Sequence, residues 1–178
     1  MVTWLGAAAL ARCETESQSP HETLPVMKIR KARIADLRMI ADFNRLLASE
    51  TESLTLDLAT VRRGVRAVLA DPSKGNYFVA EIDGVVVGQL LITHEWSDWR
   101  NGEFWWVQSV YVAEPFRGAG VFSALFDHVT ALAKSRRNVC GLRLYVAQEN
   151  RRAQEVYERS GMSRTHYEFY ETVFARKR

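Results

Sequence analysis

The 178-residue chain has only two cysteines, Cys13 and Cys140, far apart in sequence. This rules out a disulfide framework and a cysteine-rich zinc centre, and the setting expected is a reduced, cytoplasmic one. No metal site is expected, because His128 has no second His or Cys at ligand spacing. Charge of one sign is also lacking. The net charge of +3 is scattered, so a nucleic-acid partner is not expected, and Arg176–Lys177–Arg178 reads as a solvated end. No apolar run is long enough to cross a bilayer, so no membrane role is expected. The dinucleotide glycine spacing and the Gly-Lys-Ser/Thr ending of a nucleoside-triphosphate loop are missing too. That disfavours a nucleotide-binding module.

What is present suits one globular domain, with 47% hydrophobic and 25% charged residues. Residues 1–26 differ from the rest. A short apolar stretch gives way to polar and proline-containing sequence, without the basic start of a secretory signal. This segment is expected to be a flexible extension, and residues 27–178 the domain.

Alternation in 27–33 predicts a strand, and Asp36 opens a helix with Leu37, Ile40, Phe43, Leu46 and Leu47 on one face. A polar break is expected at Ser49–Ser53. Val61, Val65, Val68 and Leu69 mark a second helix, closed by Asp71-Pro72-Ser73. Strands are expected over 77–82 and 85–93, joined by the hairpin signal Asp83-Gly84. Next comes a polar and aromatic loop, 94–102. A strand over 104–112 is apolar enough to be buried on both faces.

A third helix then carries Val121, Ala124, Leu125, His128, Val129 and Leu132 on its core stripe. A strand over 139–146 follows, with Cys140 read as a small buried residue. A fourth helix, 151–160, is stopped by Gly161. An aromatic last strand over 165–174 is expected, and a partner copy's sheet could accept it in a homodimer. The order implies an α/β sheet with helices on its faces.

Two segments carry chemistry. In Arg117-Gly118-Ala119-Gly120-Val121-Phe122-Ser123 a buried strand passes through a glycine turn into a helix. Unpartnered amides and the positive helix end suit a pyrophosphate there, with Arg117 adding charge. By itself the motif equally suits a tight turn without a ligand. In the second segment Asn150, Ala153 and Tyr157 share a helix face. Tyr157 alone could also be a core aromatic.

Together, Arg117-x-x-Gly120 and Asn150-x-x-Ala153-x-x-x-Tyr157-x-x-x-Gly161 resemble the Gcn5-related N-acetyltransferase (GNAT) superfamily, over roughly residues 27–174. The resemblance implies a mixed, mostly antiparallel sheet with helices on both faces and a splayed strand pair. It implies acetyl-CoA as co-substrate in that wedge, paired with backbone at Val110, Tyr111 and Val112. The amides of residues 118–123 would hold the pyrophosphate, and Asn150 the cofactor's arm. Phe122 departs from the family pattern, which usually has Gly or Ala there.

The implied activity is acetyl transfer to a primary amine of a small molecule or peptide, by direct attack in a ternary complex. Tyr157 is implied as general acid for the leaving thiolate. Glu103 is the first candidate for general base, at the start of the strand. Gln108 is expected to orient substrate or water, and Glu50, Glu52, Glu95 and Asp98 to attract a cationic amine. Trp96, Trp99, Trp105 and Trp106 crowd the same region. An acyl-CoA-binding sensor without turnover is the alternative, since no carboxylate lies inside the 104–112 strand.

Overall fold

A computed structural model describes residues 26–174. Residues 1–25 of the expected extension 1–26, with Cys13, and the basic end therefore lie outside the described residues. Strand β1 (Met27–Lys31) leads through a 3₁₀ turn into α1 (Leu37–Glu52), followed by α2 (Leu58–Ala70). Strands β2 (Asn76–Ile82), β3 (Val85–Ser97) and β4 (Gly102–Val112) come next. Helix α3 (Val121–Lys134), strand β5 (Val139–Arg143) and helix α4 (Arg151–Arg159) complete the order.

The sheet runs β1-β2-β3-β4-β5, antiparallel up to β4 and parallel between β4 and β5. One face carries α3 over Phe78, Leu90, Ile92, Trp105 and Val107. The other carries α1 and α2 over Tyr77, Val79 and Leu91. Asp83 and Gly84 both take positive φ in the β2–β3 turn, as the dipeptide predicts. Asp57 caps α2 by accepting the Thr60 amide at 2.7 Å.

Four expectations are corrected. The polar run at residues 49–52 does not break α1, which continues to Glu52 and ends at Ser53 in the left-handed region. Ser, Thr and Glu are adequate helix formers when they face solvent. The expected loop 94–102 is mostly strand, because β3 and β4 extend their pairing to Ser97↔Gly102. Only residues 98–101 turn, with Trp96 and Trp99 exposed nearby. Strand β5 stops at Arg143, three residues short of expectation. Residues 165–174 form no strand: Tyr167, Phe169, Tyr170 and Phe174 are exposed. Propensity favours extension there, but a strand also needs a paired edge, and these residues have none.

Burial differs in detail as well. Strand β4 is fully buried only at alternating points, with Trp105 and Val107 toward α3 and Tyr111 beneath α1. Cys140 is exposed. His128 is exposed too, although its ring packs 5.4 Å from Phe78.

Candidate active site

The site begins with an irregularity in β4. Gln89 opposes Tyr111 and Leu91 opposes Gln108, so two residues, Ser109 and Val110, face only Leu90 on β3. This β-bulge puts Ser109 at φ 47° and re-aims the strand. On the other edge, β4 pairs with β5 only from Glu103↔Val139 to Trp106↔Arg143. Beyond Trp106 the strands part, and the β5-facing backbone of residues 107–112 has no strand partner. The splay expected between these two strands is therefore present.

A buried polar network holds the bulge from below. Gln89 is fully buried; its Nε2 donates to Asn44 Oδ1 at 2.7 Å and to the Ser109 carbonyl at 3.3 Å. Asn44 in turn donates to the Tyr77 hydroxyl at 3.0 Å. Burial pushes the Tyr77 phenol above its ordinary range, with hydrogen bonds from Asn44 and Ser109 opposing. Nothing in the sequence pattern marked this network, because its members lie on four separate elements.

At the end of β4 the chain turns through Gly118 (φ 82°) and Gly120 (φ 77°) into α3. A Cβ at either glycine would meet nothing within 4 Å, so the turn is an open cradle. The first amide of α3 bonded back to the turn is that of Ala124, to the Gly120 carbonyl. Those of Val121, Phe122 and Ser123 are the unpartnered donors of a helix start. Gly88 lets α3 sit low here: a Cβ on it would lie 2.8 Å from Val121 Cγ1.

The Phe122 side chain packs between its own helix and α4. Its ring stacks on Phe126 at 5.6 Å and meets the Tyr157 ring edge-on at 5.6 Å. The departure from the family pattern thus leaves the backbone amide in place. Tyr157 projects from α4, and burial alone pushes its phenol above the ordinary range. Asn150 caps α4 by accepting the Ala153 amide at 3.1 Å, which commits its oxygen and not its Nδ2 donor. Gly161 (φ 84°) ends that helix, and the Met162 amide reaches the Tyr157 carbonyl.

The other expected residues divide. Arg117 donates to the Val112 carbonyl at 2.9 Å and to Glu50 at 2.7 Å. Glu50 also accepts the Tyr111 hydroxyl at 2.8 Å, so it joins the group beside the glycine turn. Tyr111 and Arg117 hold its carboxyl below the usual glutamate range. Gln108 donates to Thr93 Oγ1 at 2.7 Å. Glu95 accepts from Arg143 and from the Trp106 indole, which lies 6.1 Å from the Tyr145 ring.

Two expected residues stand apart. Asp98 sits in the β3–β4 turn, where it accepts the Trp99 amide. Glu103 accepts from Asn138 and bonds His94 Nδ1 at 2.8 Å, lining a cavity with Trp105 and His128 on the α3 face. Roughly 20 Å of strand separates Glu103 from Val110. Glu52 lines a different cavity, between α1 and α2, together with Ser109. Among the described residues no His, Cys, Asp and Glu cluster could hold a metal, and no helix is long and apolar enough to cross a membrane.

Comparisons with known proteins agree with this geometry. No curated protein matches the sequence. The fold is shared with the "possible acetyltransferase from Clostridium difficile 630" at 43% identity and TM-score 0.80, over 85% of this chain and 99% of that one. It is also shared with the predicted acetyltransferase with acetyl-CoA from Clostridium acetobutylicum, at 20% identity and TM-score 0.67, over 83% and 96%. A ribosomal-protein-alanine N-acetyltransferase from Brucella melitensis biovar Abortus 2308 aligns at 18% identity and TM-score 0.68, over 84% and 100%. The acetyltransferase (GNAT) family matches residues 40–162, well over half of the sequence, and the chain belongs to that family.

Proposed function

We propose that this acetyltransferase moves an acetyl group from acetyl-CoA to a primary amine of a small molecule or peptide, by direct attack in a ternary complex. The observation that carries this reading is the parting of β4 from β5 beyond Trp106↔Arg143, beside an open glycine turn at a helix start. The residues present fit the co-substrate. Backbone of Val110, Tyr111 and Val112 is unpaired on the β5 side, and the amides of residues 118–123 face an uncrowded cradle. Asn150 keeps an amide donor for the arm of the ligand. In support, the solved Clostridium acetobutylicum relative is described with acetyl-CoA.

Bound acetyl-CoA supplies an activated acyl thioester. From it an amine, once its ammonium proton has passed to water, displaces the thiol as the N–C bond forms and the C–S bond breaks. The second proton shed by nitrogen balances the one given up by Tyr157. Backbone N–H groups along the splayed part of β4 are donors for a carbonyl oxygen that gains negative charge. Tyr157 holds the proton that a departing thiolate takes up, and its raised pKa keeps that proton in place at neutral pH. Glu52 provides a carboxylate that attracts a cationic amine, and Gln108, fixed by Thr93, orients a polar group on the same face.

A second reading, an acyl-CoA-binding sensor without turnover, draws support from one observation. Residues 104–112 of β4 carry no carboxylate, and Glu50, Glu95 and Glu103 are each engaged by bonded partners. Thiol release from acetyl-CoA across a panel of amines separates the two. Release with any amine supports the transferase, whereas acetyl-CoA binding with no release on the whole panel supports the sensor.

A further inference from the structure

We infer that the acceptor is an amine with an apolar body, seated in the cavity between α1 and α2; this rests on the amine-acetylation reading above. The cavity measures about 440 Å³. Leu47 from α1, Leu54 and Leu56 from the connection, and Val61, Val65 and Val68 from α2 make its walls. Ser109, Asn44 and Tyr77 supply the polar floor, and Glu52 adds a carboxylate.

Three observations tie the cavity to an acceptor. Ser109 belongs at once to the cavity and to the bulge at which β4 is re-aimed, so a molecule seated here reaches the splay from the α1 side. The lining is apolar where a ligand's body would lie, while its polar groups converge on Ser109, Tyr77 and Asn44. That is the composition of a small-molecule site. A cationic amine also finds Glu52, the one carboxylate in the lining.

Gly64 is the third. It stands mid-way along α2, where glycine weakens a helix. Its φ lies outside the positive region, and a Cβ there would meet nothing within 4 Å. Neither backbone conformation nor close packing requires a glycine. What its missing side chain leaves is room at the edge of the cavity.

The test is steady-state acetylation by the full chain and by Gly64→Leu, with phenethylamine, hexylamine, ethylamine and ethanolamine as acceptors. In the parent chain the two large apolar amines should exceed ethanolamine at least tenfold in kcat/KM, since each buried methylene adds to binding. Gly64→Leu should raise KM for phenethylamine and hexylamine at least fivefold. KM for acetyl-CoA and for ethylamine should change less than twofold. Equal use of ethanolamine, or a Gly64→Leu effect that is the same for every amine, overturns the inference and leaves amine acetylation standing. No turnover on any amine, with acetyl-CoA still bound, overturns the acetylation reading and this inference with it.

Discussion

The Arg117 guanidinium binds the Glu50 carboxylate at 2.7 Å and so ties the glycine turn before α3 to the last turn of α1. Its Nε also donates to the Val112 carbonyl, and its Cζ lies 5.3 Å from the centroid of the Tyr111 ring. Arg117 thus braces the end of β4 beside the glycine turn. Both partners are more than a third exposed, so the pair contributes under about 1 kcal/mol to stability. Glu50→Gln should leave the urea midpoint almost unchanged while weakening acetyl-CoA binding several-fold in calorimetry. Tighter binding would show that Glu50 competes with phosphate for Arg117.

Tyr157 meets Phe122 edge-on, and burial raises its pKa. Tyr157→Phe keeps the ring contact and removes only the hydroxyl. Turnover should drop about 10²-fold, the scale of general acid catalysis, while acetyl-CoA affinity stays within about twofold by the same reasoning. Because the phenol loses its proton only above about pH 10, the parent chain should show no alkaline loss from this group below that pH. Lost affinity with retained turnover would assign Tyr157 to binding instead.

Gly120 caps α3 at φ 77°, with open space where a Cβ would stand. Gly120→Trp should cost the fold about 1–2 kcal/mol from the left-handed backbone alone. It should abolish acetyl-CoA binding by filling the cradle. Normal affinity would move the phosphates elsewhere.

Glu103 is held by His94 and Asn138 on the α3 face. Glu103→Gln should therefore leave kcat within about twofold, well short of the loss that removing a general base brings. A hundredfold loss, with the fold intact by circular dichroism, would identify it as the base.

Asp36 is 8% exposed and pairs with Arg30 at 2.7 Å, while Arg30 also binds Glu81. The hydrogen bond from Arg30 leads the effects that hold Asp36 below the usual aspartate range. The unfolded chain therefore takes up this proton more readily as pH falls below about 4. Stability from the pair is complete above that pH and is lost in acid. Asp36→Asn should destabilise by about 3 kcal/mol at pH 7, and the gap to the parent should shrink toward pH 3 in urea titrations.

Much of the fold and of the glycine turn before α3 was legible in the sequence because it is locally encoded. Apolar stripes at helix spacing, the Asp83-Gly84 turn, the glycines at 118 and 120 and the stop at Gly161 act within a few residues. Residues 165–174 show the limit of that logic. Their composition favours a strand, but pairing depends on an edge that propensity does not report.

The sequence by itself determined which backbone could open a phosphate cradle and which phenol could stand on the same helix face as Asn150, since both follow from turn chemistry and helical period. Only the tertiary structure decided which carboxylates share the site. Glu50 and Arg117 are 67 residues apart, yet they meet. Glu103 lies in the same strand as Tyr111 but points to the opposite face, because side chains alternate along β4 and the bulge at Ser109 resets that alternation.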